Sequence, residues 1–203
     1  MGRRRHTVLG IVGIVAAALV VATLSLTGCG GGSDSINLSS STPSGFKTQK
    51  VHGMSFAIPK DWKVNEASTY NFDADIPGTK GGFLVFDMRG EDIDNLPKLK
   101  VYKTDDLDKD VEKFVKSTVV KGTKIKSSAK GKDGSAVIYR FELAGKSEDG
   151  SSSHGYRQYT FSGDGYYLMS AMVSEKDFKD EKDDLLAVFN SQKLSDPEAP
   201  EKE

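Results

Sequence analysis

The chain has almost none of the residues from which metal, redox and thiol sites are built. Among its 203 residues there is one cysteine, Cys29, and there are three histidines, His6, His52 and His154. Zinc takes three or four ligands from cysteine, histidine and carboxylate side chains, and the sequence contains neither H-x-x-x-H nor H-E-x-x-H spacing. A single thiol cannot form an internal disulfide, so stability has to come from core burial, which a chain of this length permits. No G-x-S-x-G elbow, no penicillin-binding S-x-x-K set and no Gly-rich phosphate loop followed by Lys-Ser or Lys-Thr occurs. Charge of one sign is lacking too. The 28 basic and 29 acidic residues give a net charge of −1, without the basic excess that nucleic-acid binding uses. Long hydrophobic runs are absent, with one exception.

That exception is Val8 to Leu24, aliphatic except for Gly10, Gly13 and Thr23. Arg3, Arg4 and Arg5 precede it, and Leu26-Thr27-Gly28-Cys29 follows. A positive n-region, a short apolar core and small residues at a cleavage point are the parts of a secretory signal. The core falls short of the ~20 residues of a permanent bilayer-spanning helix, and Gly30-Gly31-Gly32-Ser33 is not the basic flank of a stop-transfer segment. The pattern resembles the signal peptide and lipobox of bacterial lipoproteins. That resemblance implies cleavage before Cys29, a diacylglyceryl group on its thiol, and an extracytoplasmic protein held to the cell membrane by acyl chains such as palmitate. One acyl chain binds a membrane only marginally, whereas two or three anchor stably. Taking 28 residues from 203 leaves 175, and losing three arginines moves the net charge from −1 to −4. A mature chain of that charge shows no polybasic run for anionic lipid, so acyl chains are expected to carry the whole attachment.

Composition divides the rest. Residues 29–45 are Gly/Ser-rich and are expected to form a flexible tether reaching roughly 20 Å. Residues 46–194 read as one domain, and 195–203, rich in Pro and Glu, as a disordered tail. Within the domain, Val51 and Met54–Ile58 predict a first hairpin, Phe83–Met88 a central strand and Leu99–Tyr102 a short edge segment. A stripe of Leu107, Val111, Phe114, Val115 and Val119 predicts a helix over 105–121, closed by Gly122. Strands are predicted at 125–130, 135–143, 156–161 and 166–173, the first pair joined through Lys132-Asp133-Gly134. A last helix carries Phe178, Leu185, Leu186 and Phe189, with Ser174 and Asp177 as an approximate capping box. Strands, helix, antiparallel strands, helix is an α+β pattern, with helices packed on a largely antiparallel sheet.

The remaining polar clusters have bland explanations. Asp106, Asp108 and Asp110 imitate the start of a calcium loop, but position 6 is Val111 and position 12 is Ser117, where Gly and Glu belong. His52 and His154 read as exposed strand-end residues. Asp73, Asp75, Asp87, Glu91, Asp92 and Asp94 flank the central strand and would be the acids of any carboxylate-based hydrolase. Tyr139, Tyr156, Tyr159 and Tyr166 crowd the C-terminal strands. Such tyrosines usually pack a core, yet a sheet face bearing four of them is also the candidate binding surface.

Gly53-Met54-Ser55-Phe56-Ala57-Ile58-Pro59-Lys60-Asp61-Trp62 resembles the opening strand, proline, turn and tryptophan of the PsbP-like superfamily, which includes LpqN-type lipoproteins of actinobacteria. The closing strand 166–173 and the helix ending near Val188-Phe189-Asn190-Ser191 are similar to that superfamily as well. The resemblance implies an α/β/α sandwich around an antiparallel sheet, and no catalytic residue or cofactor. It implies a binding or assembly module with an envelope protein as partner. A carrier or sensor of a small or lipidic ligand is the alternative, and an enzyme is not expected.

Overall fold

The computed structural model describes residues 34–66, 71–89, 107–146, 150–163 and 165–199. Gly32–Glu203 forms one compact unit. The signal peptide, Cys29, the 99–102 segment and Glu91, Asp92 and Asp94 lie outside the described residues.

Local sequence decides the hairpins. Asp133 pairs with Ala136 across the two-residue turn Gly134-Ser135, where Gly134 has φ 57°, a conformation that costs glycine nothing. This joins β7 (Lys124–Asp133) to β8 (Ala136–Lys146), and β9 (Ser152–Ser162) and β10 (Gly165–Ser174) follow in antiparallel register. The ladder between β8 and β9 runs to Lys146 opposite Ser152, through residues whose polarity predicts a loop. Backbone pairing continues there because it needs only N–H and C=O groups, whatever the side chains.

The eight-stranded sheet has the order β1-β7-β8-β9-β10-β6-β5-β4, with β1 (Asp34–Ser35), β4 (Lys63–Val64), β5 (Phe72–Asp75) and β6 (Gly82–Asp87). A smaller sheet has the order β11-β3-β2, with β2 (Phe46–Val51), β3 (Met54–Pro59) and β11 (Lys193–Leu194). All pairings are antiparallel except that of β1 with β7.

Alternation along each strand sends side chains to two faces. On one face Tyr167, Met169, Ala171 and Val173 of β10 meet Phe83 and Val85 of β6, Phe56 and Ile58 of β3, and Leu185, Val188 and Phe189 of α2 (Phe178–Asn190). On the other, Tyr139, Phe141 and Leu143 of β8 and Tyr159 and Phe161 of β9 meet Val111 and Val115 of α1 (Leu107–Thr118). The fold is therefore mostly sheet, with two described helices. The sandwich expected from the sequence needs one amendment: the small sheet shares a covering layer with α2. Its hairpin is too apolar to lie in solvent, since Met54, Phe56, Ala57 and Ile58 are all at most 1% exposed.

Two boundaries move. Residues 34–39, expected within the tether, belong to the fold: β1 pairs with Ala129 and Lys130, Ile36 is buried over Gly131, and the Ser39 amide donates to the Asn190 carbonyl. Ser195 and Glu198 of the expected tail donate their amides to the Gly53 carbonyl and the Ser162 hydroxyl. Both segments are poor in apolar residues, so composition hides attachments made through backbone groups. Ser174 ends β10, and Asp177 is the N-cap of α2. The Ser174 hydroxyl donates to the Asp177 carboxylate at 2.6 Å instead of accepting from the helix.

Candidate functional site

The four tyrosines singled out by sequence do not form a surface. Tyr139, Tyr156, Tyr159 and Tyr166 are between 1% and 6% exposed. Strand parity also splits them. Tyr156 lies against Phe178 and Phe189 of α2, whereas Tyr159 and Tyr166 meet Phe114 of α1 on the opposite face. Edge-on ring contacts of about this kind contribute roughly 0.5–1.5 kcal/mol beyond area burial, which is a packing role. Burial pushes the Tyr156 and Tyr166 phenols well above the ordinary tyrosine range, so both stay neutral. The tyrosine binding face is withdrawn on these grounds.

Polar side chains converge instead around the turn of the β2–β3 hairpin. Such two-residue turns want positive φ at both central positions, where Asn-Gly is favoured. Here the pair is His52-Gly53, with φ of 40° and 93°. The histidine is a less obvious turn former than asparagine, and its ring makes the difference: Nδ1 lies 3.2 Å from Asp87 Oδ2. Asp87 closes β6, where Arg89 Nε and a terminal guanidinium nitrogen donate to its two oxygens at 3.0 Å. The Tyr167 hydroxyl and Arg89 both donate to the His52 carbonyl at 2.7 Å, and the Arg89 guanidinium stacks 4.2 Å from the Tyr167 ring. Burial, partly offset by Arg89, pushes the Tyr167 hydroxyl up to about 12, so it serves as a donor. The Ser195 amide and hydroxyl fasten the Gly53 carbonyl from the other side.

An aspartate holding one nitrogen of an exposed histidine is also how general bases are oriented. Among the described residues, no hydroxyl or amine hydrogen-bonds the second ring nitrogen of His52. What the geometry does is clasp the small sheet to the open end of β6 and β10.

His154 corrects a second expectation. It is a residue of β9, 8% exposed, and stacks on the Phe178 ring at 3.5 Å with 12° between planes. Its Nε2 lies 2.8 Å from Glu142 and its Nδ1 3.2 Å from Glu175. Two carboxylates and one imidazole tie β8, β9 and the start of α2 together. No group of three or more His, Cys, Asp or Glu side chains suited to a metal occurs among the described residues.

Under the C-terminal end of α2 lies a buried chain of amides. Arg140 Nε donates to Gln158 Oε1 at 2.8 Å, and a terminal guanidinium nitrogen donates to Asn190 Oδ1 at 2.9 Å. Gln158 Nε2 and the Thr160 hydroxyl both donate to Gln192 Oε1, at 2.8 and 2.7 Å. Burial brings the Arg140 guanidinium down to about 10, so it keeps its charge at neutral pH. Two amide oxygens accept from that guanidinium, the Phe189 ring lies 5.5 Å from it, and Gln192 Nε2 is buried without a hydrogen-bond partner among the described residues. Reading the sequence missed this network, since a lone Arg and two Gln on strands and a helix end give no spacing signal.

The acids divide as well. Asp87 joins the hairpin clasp, and Asp73 receives Asn65 Nδ2 at 3.4 Å. Asp108 accepts from Lys130 and Tyr139, which hold its carboxyl below the ordinary carboxylate value. Both bonds dock α1 against β7 and β8. No described helix is long and apolar enough to cross a membrane.

No protein-family model and no curated protein matches the sequence. Among solved structures the chain is similar to cyanobacterial PsbP from Synechocystis, with 17% identity, a TM-score of 0.45, and coverage of 83% of this chain and 98% of that one. It is also similar to a Pseudomonas aeruginosa protein of unknown function, with 9% identity, a TM-score of 0.43, and coverage of 68% and 89%. Likenesses at this level concern overall fold, and neither carries an activity to this chain.

Proposed function

We propose that the chain is a lipid-anchored module of a bacterial cell envelope that binds or helps assemble a protein partner and catalyses no reaction. One observation carries the proposal: Leu26-Thr27-Gly28-Cys29 at the end of the only long apolar run, where Cys29 is also the only thiol. The polar clusters favour the non-catalytic part. His52, His154, Asp87 and Asp108 are each engaged by residues of neighbouring elements. Cross-linking in intact cells followed by purification tests the binding role. A partner recovered in stoichiometric amount supports it, and repeated recovery of the chain alone overturns it.

The carrier or sensor of a small or lipidic ligand stays as a second reading, favoured by Arg140. A buried cation without a carboxylate ion pair among the described residues, in one network with Gln192, whose Nε2 has no hydrogen-bond partner there, suits an anionic ligand headgroup. Native mass spectrometry of the intact mature chain would show the added mass, and a consistently empty protein rejects this reading.

A further inference from the structure

Folding assembles a basic corner that the mature net charge of −4 conceals. The connection from α1 to β7 carries Val120 and Lys121, Lys124 opens β7, and Lys126 stands at the irregularity in β7 register. Lys124 pairs with Ala144 of β8, and a Cβ on Gly145 would lie 2.4 Å from the Thr123 backbone. Lys146, more than twenty residues away in sequence, is thereby brought to the same corner. All four lysines are exposed, and among the described residues none of them pairs with a carboxylate. Val120, 38% exposed, is one of only two large exposed apolar side chains among the described residues. Ammonium groups around a protruding aliphatic residue suit the border between phospholipid phosphates and acyl chains.

The N-terminal end of β1 faces this corner. β1 runs parallel to β7, pairing Asp34 with Ala129 and Ser35 with Lys130. The chain therefore enters β1 from the side of Lys124 and Lys126. Cys29 stands five residues before Asp34 in the sequence, and five residues of fully extended chain span at most about 18 Å between Cα atoms. β7 residues 124–128 carry no strand on their outer edge among the described residues, and lysines protect such edges from other strands.

We infer that the α1–β7 corner, with Val120, Lys121, Lys124, Lys126 and Lys146, rests on anionic phospholipid headgroups and fixes the orientation of the domain on the membrane. This rests on the lipid-anchor reading above. Each lysine close to an anionic surface raises affinity about fivefold, and lipidation keeps the domain near enough for a weak patch to act.

The uniqueness of Cys29 supplies the test. In the acylated mature protein that thiol is blocked, so Val120→Cys introduces one labelling site and Ser135→Cys, at the opposite end of β7, another. Each labelled protein is placed in vesicles of phosphatidylcholine, with or without roughly one third phosphatidylglycerol, containing headgroup-nitroxide lipid. Quenching of the Val120 label several-fold above that of the Ser135 label, only with phosphatidylglycerol, is the expected result. The combined Lys121→Glu, Lys124→Glu and Lys126→Glu variant should abolish the difference, as should salt near 1 M, where the Debye length is about 3 Å. Lys50→Glu with Lys193→Glu, on the small sheet, should not. Equal quenching of the two labels, or quenching indifferent to lipid charge, overturns the inference. Mass spectrometry of membrane-extracted protein separates the two readings. An acyl mass on Cys29 with an unquenched Val120 label leaves the anchor standing and removes the corner, whereas no acyl mass removes both.

Discussion

At the scale of the residue, single groups fasten elements that packing alone would leave loose. Tyr167→Phe deletes the hydroxyl that reaches the His52 carbonyl and leaves the ring stack on Arg89. The loss should be about 0.5–1.5 kcal/mol, read as a lower urea midpoint with an unchanged slope. Gly155 answers to a different force. A Cβ there would lie 2.0 Å from the Ala171 carbonyl oxygen, a backbone atom that cannot rotate aside. Gly155→Ala should cost about 1–3 kcal/mol or more through overpacking, a fall of several degrees in Tm. Asp108 sets an acid limb. Its carboxyl is held low by Lys130 and Tyr139, so its contribution is present above the unfolded value near 3.8 and is lost as pH falls below it. With the carboxylate 63% exposed, about 0.2–1 kcal/mol is at stake, and Asp108→Asn should remove that much pH dependence below pH 4 and little at pH 7.

At the scale of the element, α2 packs well and repels itself. Phe189 is fully buried and meets Phe83 and Tyr156 edge-on, so Phe189→Ala should cost about 3–5 kcal/mol. On its outer face, Glu181 sits among Asp184, Asp177, Asp61 and Asp180. Burial first, and those charges second, raise its carboxyl above the ordinary 4.5. The charged form is thus disfavoured by folding, a penalty present above the folded value and absent at lower pH. Glu181→Gln should raise Tm at pH 7, and the gain should vanish as pH falls toward 4. The hairpins were legible in the sequence because Gly134 and Gly53 supply turn conformations at fixed offsets. β1, β4 and the extension of β8 to Lys146 were not, because short or polar strands are held by ladder hydrogen bonds that leave no hydrophobic period.

At the scale of the whole molecule, the proposed anchor and the fold should be separable. Cys29 precedes the described residues, so Cys29→Ala should shift the protein from the membrane to the soluble fraction while circular dichroism and Tm stay unchanged. A mutant that unfolds, or that stays with washed membranes, contradicts the anchor. Either result bears on the tether as well, since the domain begins at Asp34, nearer to Cys29 than the Gly/Ser-rich composition of 29–45 implies.

The chain by itself determined the lone thiol, the apolar run that precedes it, the order of the longer strands and the two described helices, and the apolar stripes of those helices. These are local properties: composition, period and turn chemistry act over a few residues. Only the tertiary structure decided that Tyr156 faces one layer and Tyr159 the other, that His154 is buried between Glu142 and Glu175, and that Lys146 joins Lys121 and Lys124 at one corner. Each of these depends on register between strands distant in sequence, and a one-residue slip would send every side chain to the opposite face. Register is set by the summed burial of both layers, a quantity no short stretch of the chain contains.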